Sequence, residues 1–260
     1  HIIATGDGSK GADGIAQNGD LSVIGSSIKA QNVTLDAARD LTLQSAHNRS
    51  DTTGSNSSSG AAIGVSVGVG SGKAGISVFA NANRASGKEN GDTDSYTETN
   101  ITAGQTLTLR SGRDTTLTGA LASGDTIAAK VGRNLTLSSQ QDQDHYASQQ
   151  RSASVGGSVA VVGSGGGVNA SLSRQRIDSQ YQSVAEQSGL YAGQGGFNVQ
   201  VGGHTQLNGA VIASSASPER NQLSTATLGW QDLQNRAEYR VESQSIGASS
   251  SASASGNLAA

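Results

Sequence analysis

The sequence predicts an all-β fold: a right-handed parallel β-helix, or solenoid, that carries long antiparallel β-hairpin excursions. Three observations predict it. Short strand-like units recur at spacings of 8 and 12 residues, the side chains are mostly small, and two long Gly/Ser/Val stretches separate the repeat blocks.

The repeat comes first. A unit of the form G-x-x-L-x-L is read at 104–109 (GQTLTL), 112–117 (GRDTTL), 124–129 (GDTIAA) and 132–137 (GRNLTL). The starts lie 8, 12 and 8 residues apart, so two units make a step of 20. The same phasing relates Leu21 and Val23, Val33 and Leu35, and Leu41 and Leu43, and a looser copy runs through Phe197, Val199, Thr205 and Leu207. Each unit alternates apolar and polar residues and is rich in Thr, Val and Leu, which is strand chemistry. Strands this short bury nothing alone, so they must stack coil on coil as in a solenoid. Roughly five coils at about 4.8 Å per step would pile Leu43, Leu109 and Leu137 into a thin internal column. Chain chirality makes the winding right-handed.

Composition agrees. Of 260 residues 36 are Gly, aromatic residues make up 3% and charged residues 14%. A narrow coil interior has room for few side chains, and Gly, Asn and Asp suit its corners. One proline and low charge argue against a disordered chain. The absence of cysteine removes disulfides, thiolate metal sites and thiol nucleophiles. A net charge of −3 gives no electrostatic case for nucleic acid. The chain begins at His1 in mid-pattern and ends in a Ser/Ala tail, as expected of a piece of a longer protein.

Coil blocks are expected at about 19–46, 104–139 and 193–228, and hairpin excursions at about 47–103 and 140–192, with a truncated third at 240–260. In the first excursion Ile63, Val65, Val67 and Val69 alternate with Gly and Ser, and after a Gly/Ser/Lys turn Ile76 and Val78 continue the alternation. In the second, Val155, Val159 and Val161 precede a Gly turn, with Val168 and Leu172 after it. Both read as β-hairpins. Polar flanks on each side of the first would pair as its base. Residues 227–243, which hold Trp230 and Tyr239, read as strand.

Motifs for chemistry fail on inspection. The run Gly68 to Lys73 lacks the spacing of a phosphate loop, and Ala74 stands where a hydroxyl is required. Asp142, Asp144 and His145 lack the further ligands a cation needs. Asp20, Asp36, Asp40, Asp114 and Asp125 recur at the turn of the unit, which is corner chemistry rather than a carboxylate pair across a groove. No catalytic, cofactor or metal residues are therefore expected. Arg39, Arg113 and Arg133 also recur at one place, as a structural ladder compensated by the acid or amide that follows each, or as a site for a polyanion.

Three stretches carry a resemblance: ARDLTLQSAHNRSDTTGSNSSSGAAIGVSVGVG at 38–70, GRNLTLSSQQDQDHYASQQRSASVGGSVAVVG at 132–163 and GGHTQLNGAVIASSASPERNQLSTATLGWQDLQNRAEY at 202–239. They resemble the second repeat block of the filamentous haemagglutinins and of the CdiA exoproteins of contact-dependent growth inhibition. The resemblance implies export by two-partner secretion through an outer-membrane transporter and display on a Gram-negative cell. It implies, too, a non-enzymatic segment that helps carry a C-terminal toxin across the outer membrane of a target cell. The adhesin branch of the family implies attachment instead. Membrane contact would fall to the eleven aliphatic residues of the hairpins; a membrane strand needs about 9–11 alternating residues, and Ala61 to Val69 falls a little short of that but is extendable. The other reading is that the hairpins lie along the flank of the β-helix and cover it, or pair with each other. Open coil ends would be capped by the chain's own segments or would self-associate.

Overall fold

The computed structural model describes residues 1–12, 14–70 and 73–252. Strands β1 (Ile2–Ala4), β2 (Leu21–Ile24), β3 (Ser27–Ala37) and β4 (Leu41–Gln44) precede the first excursion, which is β5 (Ala46–Gly70) and β6 (Lys73–Thr97). Then follow β7 (Thr99–Ser111), β8 (Thr115–Thr118), β9 (Ala120–Val131) and β10 (Leu135–Ser138). The second excursion is β11 (Asp142–Val162) and β12 (Gly166–Ser183). The remainder is β13 (Gly189–Val201), β14 (His204–Asn208), β15 (Val211–Ser214), β16 (Asn221–Ser224), β17 (Thr227–Gln231) and β18 (Arg236–Ala252), with a 3-10 turn at Pro218–Arg220.

The chain divides into two compact units. One takes His1–Arg49, Thr93–Gln143 and Tyr181–Arg236; the other takes Ser50–Asp92, Asp144–Gln180 and the residues from Ala237 on.

The first unit is the stack of coils. One parallel sheet has the order β1-β3-β7-β9-β13-β15, with β16 also on β13, and the other has β17-β14-β10-β8-β4-β2. The register sets equivalent residues over one another: Val23, Leu43, Leu117, Leu137 and Leu207 form one column. Leu35, Leu109, Ala129 and Val199 form another. Leu109 therefore does not stack with Leu43 and Leu137 as expected, because it lies on the other of the coil's two sheets. Leu43, Leu117 and Leu137 are wholly buried, and each such side chain contributes roughly 1.5–3 kcal/mol. The alternation read from the sequence is the observed one, because β8 and β10 each bury every second residue. Thr115 and Thr205 interrupt the column of Leu41 and Leu135. Their hydroxyls are satisfied, Thr115 by Ser111 at 2.8 Å and Thr205 by Thr225 at 2.9 Å.

Excursions do not disturb this register. Leu43 and Leu117 are 74 positions apart and Leu137 and Leu207 are 70 apart, yet they pair as directly as Leu117 and Leu137, which are 20 apart. One corner governs the choice between continuing and departing. Where β2, β8 and β14 turn straight into the next coil, the corner is Gly25, Gly119 or Gly209, each with φ between 52° and 59°. A Cβ at Gly119 would sit 2.6 Å from the Cβ of Ser45, and only glycine takes this backbone without strain. Where β4 and β10 leave for an excursion, the corner residue is Ser45 or Ser139. The chain re-enters at Thr99, opposite Ala120, and through Ser188, whose hydroxyl accepts from the Ala120 N–H at 3.1 Å. Each excursion is thus spliced between the two residues that are Gly119 and Ala120 in an uninterrupted coil.

Two predictions follow from the stack. Leu117→Ala or Leu137→Ala should lower unfolding free energy by about 2–5 kcal/mol in urea denaturation. Excising 46–98, with Ser45→Gly to restore the corner, should leave a β-rich, cooperatively unfolding protein by circular dichroism. An unfolded product would show that the excursion is needed for the coils to stack.

Candidate functional site

Two surfaces bear on function: a charged corner in the first unit and the long-stranded sheet in the second.

The corner is built from Ala-Arg-Asp at 38–40, Gly-Arg-Asp at 112–114 and Gly-Arg-Asn at 132–134. Gly112 and Gly132 let backbones close up, since a Cβ at Gly132 would lie 2.0 Å from the Gly112 carbonyl oxygen. The arginines do not pair mainly with the acid next in sequence. Each reaches the acid of the coil before. Arg39 Nε donates to Asp20 at 2.6 Å, Arg113 Nε to Asp40 at 2.8 Å and Arg133 Nε to Asp114 at 3.0 Å, with a second guanidinium contact in every case. The sequence-adjacent contacts, Arg39 to Asp40 and Arg113 to Asp114, are longer at 3.9 and 3.7 Å. The same aspartates also accept a backbone N–H of the next coil: Asp40 donates to Asp20, Asp114 to Asp40 and Asn134 to Asp114, each at 3.1 Å. Asn134 ends the ladder where the next coil supplies no arginine, and its side-chain oxygen accepts from the His204 N–H at 3.0 Å. The corner therefore presents Arg39, Arg113 and Arg133 already matched by three carboxylates.

Burial opposes ionisation of Asp114, but the Arg133 guanidinium and the Asn134 N–H outweigh it and hold the carboxyl below its ordinary value. At Asp20 the hydrogen bond from Arg39 is the main cause of a shift in the same direction. A lowered folded-state value adds stability that is complete above the unfolded carboxylate value of about 4 and is lost as pH falls through the folded one. The acid limb of a thermal-melt profile should therefore be shallower in Asp114→Asn, while the two proteins should differ by a nearly constant amount between pH 6 and 8.

The second sheet has the order β5-β6-β11-β12-β18, so the two excursions pair with each other through β6 and β11. Its strands are antiparallel. Gly54 lies against Glu89, Gly60 against Asn83 and Gly64 against Phe79, so each advance along β5 is a retreat along β6. Gly91 lies against Tyr146, Gly87 against Gln150 and Gly75 against Val162, which sets β6 on β11 the same way. The polar flanks read as a base are the lower halves of these same strands, joined in the first unit by His47 to Asp94 at 2.9 Å and Asn48 to Thr97 at 2.9 Å. The turn at 71 and 72, the side chain of Val69, and the end of the third excursion (253–260) lie outside the described residues.

One face of this sheet is mostly polar and small, with Phe79, Val162 and Ile177 as apolar exceptions by strand alternation. Ser66 meets Ser77, Ser152 meets Ser173 and Ser154 meets Ser171, each pair at 2.7 Å, and Phe79 lies over Gly64. By strand alternation the opposite face holds Ile63, Val65, Val67, Ile76, Val78, Val155, Val159, Val161, Val168 and Leu172. These are ten of the eleven aliphatic residues singled out in the sequence. Val65 stands opposite Val78 and Val67 opposite Ile76, while Val78 and Ile76 face Val159 and Val161 on the next strand. Ile63 is 83% exposed and Val159 is 68% exposed. A contiguous apolar patch of this kind marks an interaction surface. His145, one of the residues weighed as a cation ligand, pairs with Asp92 at 3.3 Å. Among the described residues no cluster of metal-ligating side chains is found. Among the described residues no helix is long and apolar enough to cross a membrane, which says nothing of strands.

The haemagglutinin repeat model matches residues 9–153. A protein named "Deoxyribonuclease CdiA" from Yersinia pseudotuberculosis is 52% identical over 94% of this chain and 22% of its own length. "Toxin CdiA" from Yersinia pestis is 52% identical, and "tRNA nuclease CdiA" from Escherichia coli strain NC101 is 47% identical, each over 88% of this chain and 7% of the relative. No solved structure gives a significant match. The chain thus spans less than a quarter of these relatives and aligns with their repeat region. Proteins of this kind are secreted, surface-exposed exoproteins of Gram-negative bacteria. The stacked coils, the excursions spliced at a fixed corner and these matches together show that the chain belongs to the haemagglutinin-repeat family and is a CdiA-type repeat region.

Proposed function

We propose that this segment is a non-enzymatic delivery module of a secreted exoprotein, which helps move a C-terminal toxin across the outer membrane of a target cell. The observation that carries the reading is the two-faced hairpin sheet. A strand that spans a membrane needs alternating residues, apolar toward lipid and polar toward the lumen. β5, β6, β11 and β12 have this alternation, with Val and Ile on one face and Ser, Gly and Asn on the other. The strands themselves run 18 residues or more, and the apolar alternation occupies the half of each nearest the tip, from Val168 to Leu172 in β12, the shortest. The small polar face would let strands or passing chain approach closely.

The coils serve as the rigid support in this scheme, and the toxin supplies whatever catalysis the whole exoprotein performs. Cell attachment is the competing role, and one experiment separates the two. In the full-length exoprotein, deleting 60–82 and 154–174 should abolish growth inhibition of target cells while surface display and cell binding persist. Full inhibition after the deletions would overturn the delivery role; lost binding with intact display would favour adhesion.

A further inference from the structure

The apolar face of the hairpin sheet carries one group of charges that its pattern does not require. Arg84 on β6, Arg151 on β11 and Arg174 on β12 all fall on that face by strand alternation. The pairing that sets Ser152 against Ser173 puts Arg151 directly opposite Arg174. The pairing that sets Gly87 against Gln150 puts Arg84 opposite Ala153, diagonal to Arg151. All three are exposed, and together with Ala153 and Leu172 they line one depression. Among the described residues none of the three has a carboxylate partner. Arg176, farther along the same face, is by contrast paired with Asp178 at 2.8 Å.

Like charges directly opposite on neighbouring strands destabilise a sheet. The corner of the first unit shows how this chain treats arginine elsewhere, with a carboxylate fitted to each. Three uncompensated guanidinium groups beside a strip of exposed Val, Ile and Leu therefore ask for an anion that comes together with an apolar phase. Guanidinium forks match phosphate oxygens in a bidentate way. A lipid surface bearing phosphate head groups supplies both halves, phosphate at the arginines and acyl chain at the aliphatic strip, with the long arginine stems bridging the two.

We propose that Arg84, Arg151 and Arg174 form a head-group site that seats the apolar face of the hairpin sheet on a phosphate-bearing anionic lipid surface. This rests on the delivery reading and names what the sheet meets first. The row sets the depth of contact, because the aliphatic residues lie toward the hairpin tips from it and the polar halves of the strands lie on its other side.

The test is vesicle co-sedimentation of the chain with phosphatidylcholine alone and with phosphatidylcholine mixed with phosphatidylglycerol, against soluble inorganic polyphosphate and heparin. Each basic residue at an anionic surface is worth roughly a factor of five, so Arg84→Gln, Arg151→Gln and Arg174→Gln combined should weaken binding to the anionic vesicles about a hundredfold. Val65→Ser with Val159→Ser should weaken it while leaving polyphosphate binding unchanged. The arginine variant should melt no lower than the parent, since it relieves like-charge repulsion, and the valine variant should stay folded, since both valines are exposed. Equal binding by the arginine variant and the parent would overturn the proposal, as would capture by heparin or polyphosphate without vesicle binding. Delivery is scored separately through the tip deletions. If those deletions abolish delivery and the arginine variant still binds vesicles fully, the head-group site falls and the delivery role stands. If the variant detaches and the deleted exoprotein still delivers, the reverse holds.

Discussion

Everything in the first unit depends on backbone hydrogen bonds passed in parallel from one coil to the next. A coil of about twenty residues has too few apolar side chains to stand alone, and it becomes stable only when its strands are laid on neighbours in one register. That register is what makes Leu43, Leu117, Leu137 and Leu207 a column rather than scattered leucines. It explains the threonines in the interior, which are tolerated because a hydroxyl one turn away or one corner away completes them. It also explains the Arg–Asp corner, in which every aspartate holds a guanidinium and a backbone N–H of the following coil at once.

The second sheet answers to a different constraint. It has no interior of its own: the side chains of both faces are largely exposed, and its cohesion comes from backbone pairing and from serine hydroxyls matched across strands. Such a sheet keeps its shape chiefly by hydrogen bonding and leaves its aliphatic face uncovered. Physical economy would not maintain a Val/Ile strip of four strands in water, and the strip is the reason to look for a partner phase.

Much of this was legible in the residues. The 8- and 12-residue phasing placed the leucines in columns, because a strand's period of two and a coil's fixed length leave few alternatives. The alternation of Ile63, Val65 and Val67 identified a hairpin and one of its faces. That the two excursions pair with each other was one of the readings open in the sequence, but its register was not, since Gly/Ser/Val alternation has no register mark. The partner of each arginine was misread for a related reason. Asp114 follows Arg113 in sequence, but Asp40 lies closer to it in space, one coil below. The Gly-or-Ser corner was present in LTGA, LNGA and LQSA yet carried no meaning until the coils were stacked.

That corner has an evolutionary consequence. With entry at Ser45 or Ser139 and exit at Thr99 or Ser188, an excursion is a cassette whose ends meet the spine at neighbouring positions whatever its length. Genes for such chains can exchange, lengthen or drop a cassette by recombination at two short junctions without retuning the leucine column. Lineages should accordingly drift fastest in the sequence and number of these cassettes and slowest in the dipeptides that frame them.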